Sequence, residues 1–209
     1  SGLEAGRDFH LAYVPERVLP GAILRELIVN DRIAGGISPA SARKARAVYE
    51  HFVEGEIVET DCTTAELVKL AENTFRDVNI ALANELARAC ETVGSNVWDV
   101  VRLANRHPRV NIHQPGPGVG GHCIATDPWF LVQAAPQVTS LVQAARHINA
   151  SQPDFVIRQL EKLITTHGHG PIAFLGVTYK ANIDDIRESP SLPIIEHFLN
   201  TNGPCLVFD

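Results

Sequence analysis

Apolar positions form short continuous runs toward both ends of the chain and a wide stripe of helical period in its middle. Near the start, Phe9-His10-Leu11-Ala12-Tyr13-Val14 is bounded by charge on one side and Pro15 on the other, which predicts a buried strand. Pro15 and Pro20 then hold an irregular loop containing Glu16 and Arg17. Arg32 to Gly36 predicts a second short strand, Ser38 or Ser41 caps a helix running to about Phe52, and Glu56 to Thr60 predicts a third strand. Strand, helix and strand within about 30 residues is the rhythm of a parallel sheet.

From Thr63 to about Val93 the apolar period becomes helical, with Thr63 and Glu66 in a capping-box pattern. Leu67, Leu70, Ala71, Thr74, Phe75, Val78, Ala81 and Leu82 supply the stripe. Further helices are expected from about Asn96 to Arg106, near Asp127 to Ala135, and from Thr139 or Ser140 to about Leu163 or Ile164. Pro153 predicts a kink in the last of these, or its division in two. After Gly168-His169-Gly170-Pro171, the run Ile172 to Val177 predicts a fully buried strand, and Ser189 caps a helix opened by Pro190 and ending about Asn200. Asn202-Gly203 reads as a turn into a second parallel strand, Cys205 to Asp209, whose terminal acid stands at the ribose-binding position of nucleotide folds. The expected architecture is α/β at both ends with an all-α central domain, divided as 1–61, 62–166 and 167–209.

Composition narrows the classes. The 209 residues are 45% hydrophobic and 20% charged, which argues against disorder. The net charge of −6 without a long basic run gives no nucleic-acid surface. No run approaches the ~18 apolar residues that cross a bilayer, and no signal-peptide pattern opens the chain. Cys62, Cys90, Cys123 and Cys205 have neither CxxC nor metal spacing, so a reducing cytoplasm and no metal site are expected. The sequence has no methionine and starts Ser1-Gly2, which reads as a processed chain or a fragment.

Four constellations could carry chemistry. Gly116-Pro117-Gly118-Val119-Gly120-Gly121-His122-Cys123 packs four glycines into six residues before a cysteine. Such a run suits a tight turn or close approach to a ligand. A thiol beside a histidine and near a helix N-terminus has two reasons for a lowered pKa; the alternative is a loop with a half-buried cysteine. On the long helix, Lys69, Asn73 and Arg76 fall at i, i+4 and i+7, one polar face amid apolar neighbours. His107 and Arg109, with Arg102 and Arg106, form a basic cluster suited to a helix end or to phosphate and sugar oxygens. Thr178-Tyr179-Lys180 to Arg187-Glu188-Ser189-Pro190 follows a strand at its carboxyl end, where α/β folds place ligands.

Together, YVPERVLPG, TTAELVKLAENTFRDVNIALANELA, GPGVGGHCIATDPWF and FLGVTYKANIDDIRESPS resemble the UDP-glucose/GDP-mannose dehydrogenase family, in unbroken order over nearly the whole chain. The resemblance implies the end of an N-terminal NAD-binding Rossmann-like domain at 1–61, a central helical dimerisation domain with the cysteine loop at 62–166, and the start of a Rossmann-like UDP-sugar-binding domain at 167–209. It implies NAD-dependent oxidation of a UDP-hexosamine C6 alcohol to the uronate through a thiohemiacetal and a thioester, in a cytoplasmic homodimer. Cys123 matches the nucleophile, Lys69 the oxyanion-stabilising lysine, Asn73 an oxyanion and water-positioning asparagine, and Asp127 the family's aspartate, a partner of water or of the lysine. Glu16, Arg17, Val18, Lys69, Asn73, Arg76, His107, Arg109, Gly120, Tyr179 and Lys180 match substrate contacts, and Arg187 an NAD phosphate contact. The family's N-terminal GxGxxG is absent. The expectation is therefore a chain lacking most of its NAD-binding domain and unable to turn over alone. Two other readings are a non-catalytic dimerisation or sugar-binding module, and a Cys-His hydrolase using His122 and Cys123. The hydrolase lacks a third, orienting residue.

Overall fold

The computed structural model describes residues 2–19, 21–168, 170–201 and 203–209. The expectations at Pro20, His169 and Asn202 lie outside the described residues. The chain forms two compact units, Ser1–Glu72 and Asn73–Asp209.

The first unit is a three-stranded sheet with helices. It contains β1 (Ala12–Tyr13), α1 (Ile23–Val29), β2 (Arg32–Gly36), α2 (Pro39–Tyr49), β3 (Ile57–Asp61) and the first turns of α3 (Cys62–Val93). The sheet order is β1-β2-β3. β2 and β3 are parallel, with Arg32 opposite Ile57, and β1 is antiparallel to β2, with Ala12 opposite Gly36. Ala34, Ala42, Ile57 and Ala65 are its buried apolar centre. These small residues let the helices lie close on the sheet: a Cβ at Gly35 would sit 2.7 Å from Asp61 O and collide with Ala65. The Ser38 Oγ accepts from Ser41 N at 3.3 Å and caps α2.

Two expectations change here. The strand expected at Phe9 to Val14 contracts to two residues and is not buried, with Phe9 44% and Leu11 47% exposed. The segment meets β2 only near its end, where Ile37 N donates to Leu11 O, and it turns on itself upstream, where Gly6 N donates to Phe9 O. The loop expected after Pro15 contains α1, whose Glu26 reaches back to accept from Leu19 N at 2.8 Å.

The second unit holds the rest of α3, then α4 (Val97–Ala104), α5 (Asp127–Ala134), α6 (Ser140–Ala150), α7 (Gln152–His167), β4 (Ala173–Leu175), α8 (Ser191–Thr201) and β5 (Leu206–Phe208). β4 and β5 are parallel, with Ala173 opposite Leu206. α8 packs on α7 and buries Ile194, Ile195 and Phe198; the Phe198 ring lies 6.2 Å from that of Phe174. Pro153 marks a division, not a kink: Ser151 closes α6 and opens α7, and the proline sits in the first turn, where its missing N–H costs nothing. The N-terminus of α3 is capped by Asp61 instead of Thr63, with Thr64 N donating to Asp61 Oδ1 at 2.9 Å. The strand expected to be fully buried at 172–177 is largely exposed, Leu175 at 83%. Phe174 faces Phe198, and alternation turns its strand neighbours to the other face of a two-stranded sheet.

The stripe expected on α3 holds only in part. Its members Thr74 and Ala81 are buried, but Leu67, Phe75 and Leu82 are exposed, and the polar Asn73, Asp77 and Asn84 are buried instead. Among the described residues, no helix is long and apolar enough to cross a membrane. An N-terminal sheet with a parallel strand pair, an all-helical centre and a second parallel sheet make up the architecture expected from the sequence.

Candidate active site

The glycine loop of the second unit is held at both ends. At entry, Gly116 N donates to Asn84 Oδ1 at 2.9 Å; at exit, Gly121 N donates to Arg187 O at 3.1 Å. Between them the loop lies so close under the 178–190 segment that side chains are excluded. A Cβ at Gly120 would stand 2.6 Å from both Glu188 O and Tyr179 Cβ, and one at Gly121, where φ is +80°, 2.7 Å from the Tyr179 ring. The clasping segment is itself braced, since Ser189 Oγ donates to Val177 O at 2.5 Å and Tyr179 N to Asp185 O at 3.2 Å.

Beyond this clasp Cys123 is exposed. Its carbonyl accepts from Thr126 N at 3.0 Å and Asp127 N at 2.8 Å, a turn that leads into α5. The thiol therefore stands three residues before the helix N-cap, Thr126, and outside the helix's first turn. Asp127, the first residue of α5, accepts from Asn73 Nδ2 at 2.6 Å. Asn73, Asp127 and the Cys123 backbone are thus one hydrogen-bonded chain, and α3 fixes where α5 begins.

An ionic group borders the thiol. Arg187 Nε and Nη2 clasp Asp185, with Nη2 2.7 Å from Oδ2. That hydrogen bonding holds the Asp185 carboxyl down at about 2, with a smaller contribution from His122. Arg187 is raised in turn, first by Asp185, with Tyr179 and Cys123 adding to the field. At the carboxyl ends of β4 and β5, Asp209 Oδ1 accepts from Val177 N at 2.6 Å and Thr178 N at 3.1 Å, and these bonds lower its pKa. Asp209, expected as a ribose acceptor, has that oxygen committed to closing the strand ends. An open cavity of about 790 Å³ lies there, bordered by Leu175, Thr178, Asn182, Asp184, Phe208 and Asp209.

The first unit places the remaining candidates. Glu16 Oε1 accepts from Arg32 Nη1 at 2.9 Å and from Arg17 N at 2.7 Å. Burial pushes this carboxyl up, but Arg32 and the Arg17 and Val18 amides outweigh it and hold it below its usual value. Arg17 Nη2 pairs with Glu72 Oε1 at 2.8 Å. Lys69 is half-buried on α3, one turn before Asn73. A cavity of about 250 Å³ sits at the carboxyl ends of β2 and β3, lined among others by Gly36, Ser38, Pro39, Thr60 and Asp61.

Of the sequence candidates, the structure brings together Asn73, Gly120, Cys123, Asp127, Tyr179 and Arg187. Arg76 and Lys180 are exposed. His107 and Arg109 are exposed beyond α4, where Arg109 N donates to His107 Nδ1 at 3.3 Å; among the described residues no hydrogen bond joins either to the glycine loop. Sequence reasoning missed Asp77, Asn84, Arg146 and Asn149, all buried behind the loop. A signal existed: Asn73, Asp77, Asn84 and Arg88 are polar at successive spacings of four, seven and four residues, one face of α3.

Three models of one family match the chain. The UDP-glucose/GDP-mannose dehydrogenase family, NAD binding domain, matches residues 1–53; the central domain matches 63–151; the UDP binding domain matches 173–209. The chain is 53% identical over 189 residues to the NDP-N-acetyl-D-galactosaminuronic acid dehydrogenase of Ralstonia nicotianae, covering 90% of this chain and 45% of that protein. It is 52% identical over 207 residues to the UDP-N-acetyl-D-mannosamine dehydrogenase of Methanocaldococcus jannaschii, covering 99% and 48%. The solved UDP-D-ManNAc dehydrogenase of Pyrococcus horikoshii superposes with a TM-score of 0.90 at 47% identity, covering 99% of this chain and 50% of that one. The chain spans about half the length of these relatives.

The matches correct one expectation. A chain lacking most of its NAD-binding domain was inferred from the missing GxGxxG, but the family's NAD binding domain model matches residues 1–53, and the UDP binding domain match is confined to 173–209. The glycine signature is one turn of such a domain, and its absence from this sequence was a poor gauge of the rest.

Proposed function

We propose, on the premise that this chain belongs to the UDP-glucose/GDP-mannose dehydrogenase family, that it serves NAD-dependent, four-electron oxidation of a UDP-hexosamine C6 alcohol to the uronate. UDP-N-acetyl-D-mannosamine is the substrate favoured by the Methanocaldococcus and Pyrococcus relatives. The observation that carries the reading is the exposed Cys123 at the end of a glycine backbone stripped of side chains by the Tyr179 and Glu188 clasp. The clasp fixes the backbone that leads to the thiol and leaves that one thiol presented to solvent.

In this reading Cys123 adds to the C6 aldehyde, giving a thiohemiacetal, and the thioester formed on its oxidation is hydrolysed by water. The soft thiolate both adds to a carbonyl and leaves in hydrolysis. Lys69 stabilises the alkoxide and takes the alcohol proton. Asn73 and Asp127, bonded to each other, orient the hydrolytic water. Glu16, held ionised by Arg32, orders the Arg17 and Val18 amides of the substrate loop. Arg76, His107, Arg109 and Gly120 meet the sugar diphosphate, and Tyr179 and Lys180 the nucleotide. NAD+ supplies the hydride acceptor for each of the two oxidations. The cavity beside the Ser38 cap has the parallel-strand setting of a nucleotide site, so Ser38, Thr60 and Asp61 would hold part of NAD there; Arg187 is carried as an NAD phosphate contact by the family resemblance.

The domain limits 1–61, 62–166 and 167–209, a cytoplasmic setting and a homodimer complete the reading. Exposed Phe75 and Leu82 on α3, with Trp98 and Leu103 on α4, suit the dimer contact.

The test is NAD+ reduction by the enzyme carrying this chain, against UDP-N-acetyl-D-mannosamine, UDP-N-acetyl-D-galactosamine, UDP-N-acetyl-D-glucosamine and UDP-glucose. Four-electron oxidation demands two NADH per sugar, and Cys123→Ser should abolish it. Absence of reduction with every nucleotide sugar overturns the assignment. A non-catalytic sugar-binding module would instead bind a UDP-sugar without any NADH appearing.

A further inference from the structure

Behind the glycine loop lies a buried polar chain that the reaction above does not use; of its atoms, Asp77 Oδ2 and Arg146 Nε have no partner among the described residues. Arg146 Nη1 donates to Asp77 Oδ1 at 2.5 Å. Asn149 Nδ2 donates to the same oxygen at 2.8 Å and to Asp77 O at 3.0 Å. Asn84 Nδ2 donates to Asn149 Oδ1 at 3.0 Å, and Asn84 Oδ1 accepts from Gly116 N at 2.9 Å. Asp77 and Asn84 are 0% exposed, Asn149 2% and Arg146 6%. The loop also leans on this chain further along, since a Cβ at Gly118 would lie 3.3 Å from Asn149 O.

The order of donors is forced. A carboxylate paired with a guanidinium can only accept. Asn149 must therefore turn its amide nitrogen toward Asp77, which leaves its oxygen for Asn84. Asn84 must then spend its nitrogen on Asn149, which leaves its oxygen facing Gly116. A flipped Asn84 would set N–H against N–H at Gly116. The charge at one end thus sets the polarity of the acceptor at the other, and buried amides have no water to substitute for a lost partner.

We propose that Asp77, Arg146, Asn149 and Asn84 are positioning residues for the nucleophile loop: a one-way hydrogen-bond relay in which the ion pair orients two amides so that Asn84 anchors Gly116 and sets the approach of Cys123 to the sugar. The inference rests on the proposed function for its catalytic meaning, but not for its effect on the loop. α3 gives the loop its inner anchor at Asn84, and the same helix places Asn73 on Asp127 beyond the thiol. Loop entry and the start of α5 are thereby referred to one rigid rod.

The test is amide hydrogen exchange of residues 116–123 in the wild-type chain, in Asn84→Leu, which removes donor and acceptor at similar volume, and in Asn84→Asp, which keeps an acceptor for Gly116. Residues 97–104 of α4 are the internal reference. The Gly116 amide in the wild type should be protected like those of α3. Asn84→Leu should speed loop exchange about threefold to tenfold, the loss of one buried hydrogen bond, with α4 unchanged, and Asn84→Asp, whose carboxylate sets oxygen against oxygen at Asn149, should restore protection at Gly116 only in acid that protonates it into a donor. In the enzyme, Asn84→Leu should lower kcat with KM moving less than about twofold, the signature of lost positioning without lost binding. A Gly116 amide that exchanges in the wild type like an exposed loop overturns the relay without any variant. So does loop exchange in Asn84→Leu that is unchanged or rises only in step with α4. Failure of every UDP-sugar to support turnover would reject the function while leaving these exchange results to decide the relay.

Discussion

Arg146→Met tests the ion pair on which the polar interior of the second unit depends. Arg146 and Asp77 side chains are 7% and 0% exposed and meet at 2.5 Å. An exposed pair contributes about 0–1 kcal/mol, but removing one partner of a buried pair strands the other charge and costs about 3–5 kcal/mol. Asp77 would retain only Asn149, so the larger figure applies at neutral pH. Burial already raises the Asp77 pKa above its ordinary 3.8, against the opposing pull of Arg146 and Asn149. A raised folded pKa means that the carboxyl favours folding fully below 3.8 and that this contribution is lost as pH rises through the folded value. Without Arg146 that value climbs further, so the deficit of Arg146→Met should narrow on acidification. The assay is urea unfolding at pH 7 and pH 5 followed by tryptophan fluorescence, since Trp98 and Trp129 both lie in the second unit. Asp77→Leu combined with Arg146→Met should recover most of the loss, because an apolar pair of similar volume replaces a buried ion pair at little cost. A loss below about 1 kcal/mol at pH 7, a deficit that widens in acid, or a double variant no better than the single one would refute the reasoning.

Three further outcomes follow from the geometry. Gly120→Ala places a methyl 2.6 Å from both Tyr179 Cβ and Glu188 O, so it should cost about 1–3 kcal/mol and loosen the clasp, seen as faster exchange at the Gly121 amide. Iodoacetamide should label the exposed Cys123 ahead of half-buried Cys62 and Cys205 and buried Cys90, and a UDP-sugar should protect it; equal labelling of all four, read by peptide mass, would count against an accessible nucleophile. Glu16 has a folded pKa below its ordinary 4.5, despite burial, because of Arg32; its contribution to stability is present above 4.5 and lost as pH falls through the folded value. Arg32→Met should lower stability at neutral pH and flatten that acid-side loss in a pH series of unfolding curves.

The strongest legible signals were those of backbone chemistry. Pro153 marked a kink or a break, and the structure makes it a break at Ser151, because in a first turn the missing N–H costs nothing. Gly120 and Gly121 announced a close approach, and the structure supplies the neighbour, Tyr179. Cys123 and Asp127 could be singled out by type and spacing, but not the bond from Asn73 to Asp127, whose partners are 54 residues apart. Two strands were misjudged because an apolar run declares that something should cover it without saying what. Leu175 and Leu11 are apolar and exposed where the described strands have a neighbour on one side only.

The sequence by itself determined the alternation of β and α segments, the glycine stretch and the thiol at its end, since these follow from local φ/ψ preference and period. Only the tertiary structure decided which side of α3 is inside. Phe75 and Leu82 predicted one side, yet Asn73, Asp77 and Asn84 occupy the buried one. A buried polar side is stable when most of its donors and acceptors find partners, and the partners of Asn73, Asp77 and Asn84 lie at Asp127, Arg146, Asn149 and Gly116, distant in sequence. Helical period can place four polar residues on one line. It cannot show that the line is dry, or that its far end holds the loop of the nucleophile.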